Sequence, residues 1–304
     1  DRFNATAFNV TVIIVITLQA FAGMWINAFI VCVLCTDWLK RKIFNSSEKI
    51  LLFLGCSRFW QLCVTWLYYI FPVTYPCCFY IYPIPQLLAA LLSFFDTSNV
   101  WTSACLCVFY CIKIANFRNT FFIYLKVKID RIVPWLLLGS GLVSLVMGIL
   151  SYATTDSEFN STTHGILWKL NVRLDEDLLP VVFPSCFILT TALITVVFSA
   201  LLLLFSLCRH KLKMQAKAVK DLSMDAHMKA VKSILSFLFI YSINFTGFVL
   251  AMIYETREED LVTFLLLVFL CALPIFHSLI LIFSNPKLEK TLLRILPCEK
   301  GKVC

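Results

Sequence analysis

Apolar residues run along this chain in long unbroken stretches, and short segments between them hold most of the charge. Seven stretches reach the roughly 20 residues that a helix needs to cross a bilayer core of about 30 Å. They fall at about 9–35, 50–71, 86–112, 132–153, 180–208, 233–254 and 261–284. They lack period-two alternation, so helices rather than barrel strands are predicted. Helices also satisfy their own backbone polar groups within lipid. Only Pro72, Pro76, Pro83 and Pro85 mark the turn between the second and third stretches. The expected fold is an all-α membrane protein, a seven-transmembrane helix bundle forming one domain over 1–304. A short amphipathic interfacial helix is expected at about 287–296. There Leu288, Leu292, Leu293, Ile295 and Leu296 gather opposite Lys and Arg.

Charge then gives the bundle a direction. Of the 26 Lys and Arg residues, 21 fall on the side of the C-terminus, and that side also holds seven acids. The opposite side holds four basic residues, Arg2, Lys169, Arg173 and Arg257, against ten acids. Positive loops stay in the cytoplasm. An odd number of crossings then puts the N-terminus outside, with the plasma membrane as the expected location. The net charge of +8 is therefore read as a face for anionic membrane lipids, and nucleic acid is set aside as a partner. Two glycosylation acceptors fit this topology, Asn160 in the longest outer loop and Asn4 in the outer tail. Matches at Asn45 and Asn244 would be cytoplasmic and mid-membrane and are discounted.

Composition agrees, with 60% apolar residues and 14% charged, where a soluble domain carries roughly 25% charged. Most of the 14 Cys sit inside apolar runs and read as small packing residues. Cys77 and Cys78 fall in an outer loop, and 151–180 contains no Cys to pair with. The first apolar run is longer than a signal-peptide core and lacks a preceding basic region, so it reads as a permanent span. His164, His210, His227 and His277 lie at different levels, no nucleophile or phosphate-binding motif is present, and no cofactor is implied. An enzyme is not expected. A small-molecule transporter or channel is the alternative, but internal repeats and paired intramembrane charges are missing.

Two charges do fall inside spans. Arg58 costs about 2.5–3.5 kcal/mol at a helix centre on insertion scales. It is expected to face the bundle and to bond Asn27, Ser57, backbone carbonyls and the seventh span near Ser278. Asp96 is placed about one turn inside the outer end of the third span, meeting either a cationic ligand or boundary water.

Several segments resemble the bitter taste receptor family. The first span carries Asn27-Ala28-Phe29-Ile30, and the second Leu54-Gly55-Cys56-Ser57-Arg58. The third ends in Phe109-Tyr110-Cys111-Ile112-Lys113-Ile114-Ala115-Asn116-Phe117. The fifth ends in Phe205-Ser206-Leu207-Cys208-Arg209-His210, and the sixth opens Ala226-His227-Met228-Lys229-Ala230-Val231-Lys232. The seventh carries His277-Ser278-Leu279-Ile280-Leu281-Ile282 and then Asn285-Pro286-Lys287-Leu288. The Asp-Arg-Tyr, Cys-Trp-x-Pro and Asn-Pro-x-x-Tyr signatures of rhodopsin-like receptors are missing.

That resemblance implies a receptor that binds a small, largely apolar bitter agonist on the outer side of the bundle and activates a heterotrimeric G protein of the gustducin or Gi type. Trp101, Thr102 and Cys105 would form a ligand wall, with Tyr69, Asn244 and Leu267 across the cavity. Asn27, Arg58, Tyr241, His277 and Ser278 would form the activation switch. Tyr110, Lys113, Ile114, Asn116, His210, His227, Lys229 and Lys232 would face the G protein.

Overall fold

The computed structural model describes residues 2–115, 119–161, 179–215, 234–247, 249–250 and 260–295. In chain order the helices are α1 (Arg2–Arg41), α2 (Ser46–Thr74), the short α3 (Pro76–Phe79), α4 (Ile84–Ile114), α5 (Thr120–Ser161), α6 (Leu179–Gln215), α7 (Ile234–Gly247), α8 (Asp260–Ser284) and α9 (Pro286–Ile295). No strand occurs among the described residues. α1, α2 and α4–α8 build the bundle, with α3 in the connection after α2.

Four of these helices, α1, α2, α5 and α6, are long and apolar enough to cross a membrane on length and composition alone. α4 is not among them, because polar residues interrupt its apolar run, and its place explains why. It is the hub, packed against α2, α5 and α6. Its buried residues include Thr97, Ser98, Asn99, Thr102 and Ser103. A helix enclosed by other helices can carry polar groups that a lipid-facing helix cannot. The outer faces of the surrounding helices are apolar and open: Trp25 on α1, Trp135 on α5 and Phe198 on α6 are 81%, 73% and 61% exposed. Large side chains turned outward in this way suit lipid rather than water.

The charged segments flanking the spans are more helical than the pattern predicts. α5 begins at Thr120, 12 residues before the expected span, and carries Lys126, Lys128, Asp130 and Arg131 on helix. Hydropathy finds where a helix enters lipid, not where it starts. Local chemistry sets the ends. Lys42 takes a left-handed φ of 56° and closes α1. Asn45 precedes α2, and its N–H donates to the Glu48 carboxylate at 3.0 Å, one half of a capping box. Asn285 precedes α9, its Oδ1 accepting the Lys287 N–H at 3.0 Å, and Pro286 takes the first helical position. The chain bends by 98° there, so α9 leaves the bundle almost at a right angle. Leu288 is fully buried and Leu292 packs on the core, while Leu293 and Ile295 are exposed. The single apolar face expected for this helix is thus divided between bundle and surroundings.

Candidate functional site

Among the described residues, the most densely bonded polar cluster in the bundle centres on Arg58. α2 turns this residue inward, where it is 2% exposed. One guanidinium nitrogen, Nη1, donates to Ser278 Oγ on α8 at 2.9 Å. The other, Nη2, reaches Ser103 Oγ on α4 at 3.2 Å and His277 Nδ1 on α8 at 2.5 Å. Arginine only donates, so His277 Nδ1 accepts and the ring's proton sits on Nε2. Three bonds from a charged donor, at roughly 1.5–3 kcal/mol each, outweigh an insertion cost of about 3 kcal/mol.

The cluster continues into α1. Ser278 Oγ lies 2.9 Å from both Asn27 Oδ1 and the Pro274 carbonyl, and its one proton serves either acceptor. The Asn27 amide donates to the Gly23 carbonyl at 2.8 Å. Asn27 therefore meets Arg58 through Ser278 rather than directly. Ser57 Oγ is buried without a partner. α7 closes the far side. Phe237 packs edge-on to His277, with ring centroids 4.3 Å apart. The Tyr241 hydroxyl donates to the Val100 carbonyl of α4 at 2.9 Å. The five expected switch residues thus gather in one place and bind α1, α2, α4, α7 and α8 together.

A second polar group sits one helical turn along α2. The Gln61 amide donates to Asp96, and the Asn99 amide donates to Gln61. Asp96 is not near the end of its helix. α4 begins at Ile84, which sets Asp96 12 residues, or about 18 Å, along the axis. Gln61, Asn99 and Ser103 were missed by the sequence reading. Their signal was the spacing: Asp96, Asn99 and Ser103 stand at i, i+3 and i+7, one stripe of a helix.

The expected ligand wall is distributed differently. Thr102 is fully buried, with its hydroxyl 3.3 Å from that of Ser140 on α5. Trp101 is half-buried, and its Nε1 is buried without a partner. Cys105 is buried, Asn244 is half-buried on α7, and Tyr69 packs edge-on to Tyr68 at 5.4 Å. Leu267 lies on α8, its side chain outside the described residues. A groove of about 260 Å³ between α7 and α8 is lined by Phe239, Ser242, Ile243, Thr246, Gly247, Leu250, Leu266 and Phe269. It involves none of the expected ligand residues.

At the basic end, Ala115, Ala200, Leu203 and Ile234 form a small buried cluster joining α6 and α7 to the end of α4. Tyr110 and Ile114 pack against it, and Lys113 sits 5.0 Å over the Phe109 ring. His210 is on α6 with its side chain outside the described residues, as are Asn116, His227, Lys229 and Lys232 entirely. Asn4 and Asn160 fall within the first and last turns of α1 and α5, their side chains likewise undescribed. Cys77 and Cys78 are free and exposed. Lys287 joins Glu48 at 2.8 Å and also Asp37, tying α9 to α1 and α2. That clasp had no forerunner in the sequence reading.

The helix order is that of the seven-helix fold of G-protein-coupled receptors. Squid rhodopsin has the same fold, with a TM-score of 0.71 at 14% identity, covering 96% of this chain and 81% of the rhodopsin chain. The taste receptor protein (TAS2R) family matches over residues 5–300. Taste receptor type 2 member 9 of Papio hamadryas is 33% identical over 297 residues, 95% of this chain and 94% of that one. The human member 9 is 32% identical over 96% and 95% of the two chains. Taste receptor type 2 member 41 of Rattus norvegicus is 31% identical over 94% and 95%. The chain belongs to the taste receptor type 2 family and is a receptor, not an enzyme.

Proposed function

We propose that this chain is a bitter taste receptor of the plasma membrane, a single receptor domain with its N-terminus outside and its basic loops in the cytoplasm. A small, largely apolar bitter compound enters the outer half of the bundle. Tyr69, Trp101, Thr102, Cys105, Asn244 and Leu267 are the ligand residues in this reading. The response passes through Asn27, Arg58, Tyr241, His277 and Ser278 to the cytoplasmic mouth. There Tyr110, Lys113, Ile114, Asn116, His210, His227, Lys229 and Lys232 meet a heterotrimeric G protein of the gustducin or Gi type. Anionic lipids hold the remaining basic residues, and Asn160 and Asn4 carry glycans.

The observation that supports this most is the Arg58 node. It holds five helices through bonds that a modest shift can exchange, as a two-state element requires. An agonist acts by binding one arrangement better than the other, and it shifts the balance only by that difference. Parting of the Ala115–Ala200–Leu203–Ile234 cluster would open the cytoplasmic face.

The test is a panel of bitter compounds applied to cells expressing the chain with a gustducin-type α subunit. Calcium release to at least one compound, absent without the α subunit, is the expected result. Trp101→Ala should weaken that response at normal surface expression. Silence across the panel in cells that display the protein, or an ion flux in reconstituted vesicles, would remove the receptor reading. Unchanged potency in Trp101→Ala would remove the ligand wall alone.

A further inference from the structure

Asp96 is a carboxylate on the central helix of the bundle, exposed, and without an ion-pair partner among the described residues. Its direction is fixed by its neighbours. Ser103, two turns further along the same stripe of α4, bonds Arg58 in the bundle interior. Leu87 and Leu91, the exposed apolar residues of α4, lie about 140–180° around the helix from Asp96 at 100° per residue. Asp96 therefore points to the Arg58 side, between Gln61 of α2 and Cys271 of α8, with which it is in electrostatic reach. An exposed atom there fronts space inside the bundle.

The hydrogen bonds define what that space lacks. A carboxylate only accepts, so Gln61 must turn its amide nitrogen to Asp96. Gln61 Oε1 then receives the Asn99 amide nitrogen. Asn99 Oδ1 is left facing away from Gln61, buried and without a partner, on a residue only 8% exposed. The second Asp96 oxygen has no bond among the described residues either. The vacant positions of this group are acceptors, and one bears a negative charge. Arg58 forms no ion pair with it: its Nη groups turn to Ser278, Ser103 and His277 instead.

We propose that Asp96, with Asn99 and Gln61, binds the ammonium group of a protonated amine. The inference rests on the reading above that a small molecule binds within the bundle, and it names the class, small amines with an apolar body. Asp96 adds a contact on a different face of α4 from Trp101 and Cys105, which lie about 140° and 180° around the helix from it. The ammonium donates to Asp96 and Asn99, and the apolar body occupies the outer half of the bundle. A charge–charge contact out of bulk water also gives selectivity against neutral isosteres. The ammonium competes with the Gln61 amide for Asp96. Gln61 is three residues from Arg58 on α2, so occupancy at Asp96 is felt at the node.

The test uses the full-length receptor purified in detergent and two probes of similar shape, 2-phenylethylamine and neutral 2-phenylethanol. Thermal stability is followed as each is titrated. The amine should stabilise the wild type saturably and at least tenfold more potently than the alcohol. Asp96→Asn should weaken the amine at least tenfold and leave the alcohol unchanged. Asp96→Glu should keep most of the amine preference, which also guards against a folding defect. Equal potency of amine and alcohol on the wild type overturns the proposal, as does an amine midpoint unmoved by Asp96→Asn. Either result leaves the calcium assay intact, so the two readings fail separately.

Discussion

Arg58 on α2 and Ser278 on α8 meet at 2.9 Å across 220 residues of sequence, and Ser278 hands the contact on to Asn27 of α1. Removing one hydroxyl therefore breaks two inter-helix links. Ser278→Ala should lower the stability of the purified receptor by about 1–3 kcal/mol, the range for a buried partner left unsatisfied. Asn27→Ala should cost less alone, and the pair should cost less than the sum, because both remove the same bond. A coupling energy above about 0.5 kcal/mol in thermal melts is expected. Strict additivity would show that the three residues do not act as a unit. Arg58→Lys should also fail to substitute, since an ammonium lacks the planar fork that reaches Ser278, Ser103 and His277 together.

The node and the clasp differ in how far the sequence announces them. A lone Arg inside an apolar span must find partners, so burial of Arg58 was legible before any coordinates. A contact with the seventh span near Ser278 is among the partners expected for it. Asn99 and Ser103 are harder to read, because singly such residues in helices often bond their own backbone, and only their spacing with Asp96 marks them; Gln61 carries no such mark. Ser242 and Thr246 do bond their own backbone here. Lys287 was hidden for a different reason. On a short amphipathic helix a lysine reads as facing lipid headgroups, and only the 98° bend brings it to Glu48. The start of α5 was hidden because its first turns are charged and hydropathy reports only the lipid-bound part.

The clasp should be worth more than a surface ion pair. The side chains of Glu48 and Lys287 are 9% and 24% exposed. Exposed pairs contribute roughly 0–1 kcal/mol, and breaking a fully buried one costs roughly 3–5 kcal/mol. Lys287→Ala should fall between, near 2 kcal/mol. Hydrogen exchange should rise specifically in α9, with α5 and α6 unchanged. Arg41→Ala is the control. Arg41 also pairs with Asp37, at 3.2 Å, but its side chain is 60% exposed, so its loss should be almost silent. Equal effects from the two substitutions would mean that charge near Asp37, not the clasp, is being measured.

Glycines separate the tight seams of the bundle from its open faces. A Cβ on Gly23 would stand 2.6 Å from Leu62 Cδ1 and 2.9 Å from Ile275 Cγ1, where α1, α2 and α8 converge. Gly23 also supplies the carbonyl that receives Asn27. Gly23→Ala should therefore cost about 1–3 kcal/mol and reduce surface expression. Gly139→Ala and Gly141→Ala meet nothing within 4 Å. At those positions alanine should be neutral or stabilising by about 0.5–1 kcal/mol, because it restricts the unfolded chain and suits a helix. Loss of expression in the α5 variants would show that this face is covered in the membrane.

Tyr241 offers the sharpest view of the moving part. Its hydroxyl donates to the Val100 carbonyl at 2.9 Å, a direct bond from α7 to the hub helix. Phenylalanine keeps the ring, its place in the main core and its packing near His277, and removes the hydroxyl with its bonds to Val100 and to Ser103. A net contribution of about 1 kcal/mol is typical. If the bond belongs to the resting arrangement alone, Tyr241→Phe shifts the equilibrium by that amount, about fivefold towards the active state. Basal inositol phosphate production should rise several-fold at matched surface level, and agonist potency should rise with it. A bond retained in both states predicts no change in basal signal and only a lower melting temperature. Reduced basal signalling would place the bond in the active arrangement instead, with α7 held to α4 by agonist rather than released from it.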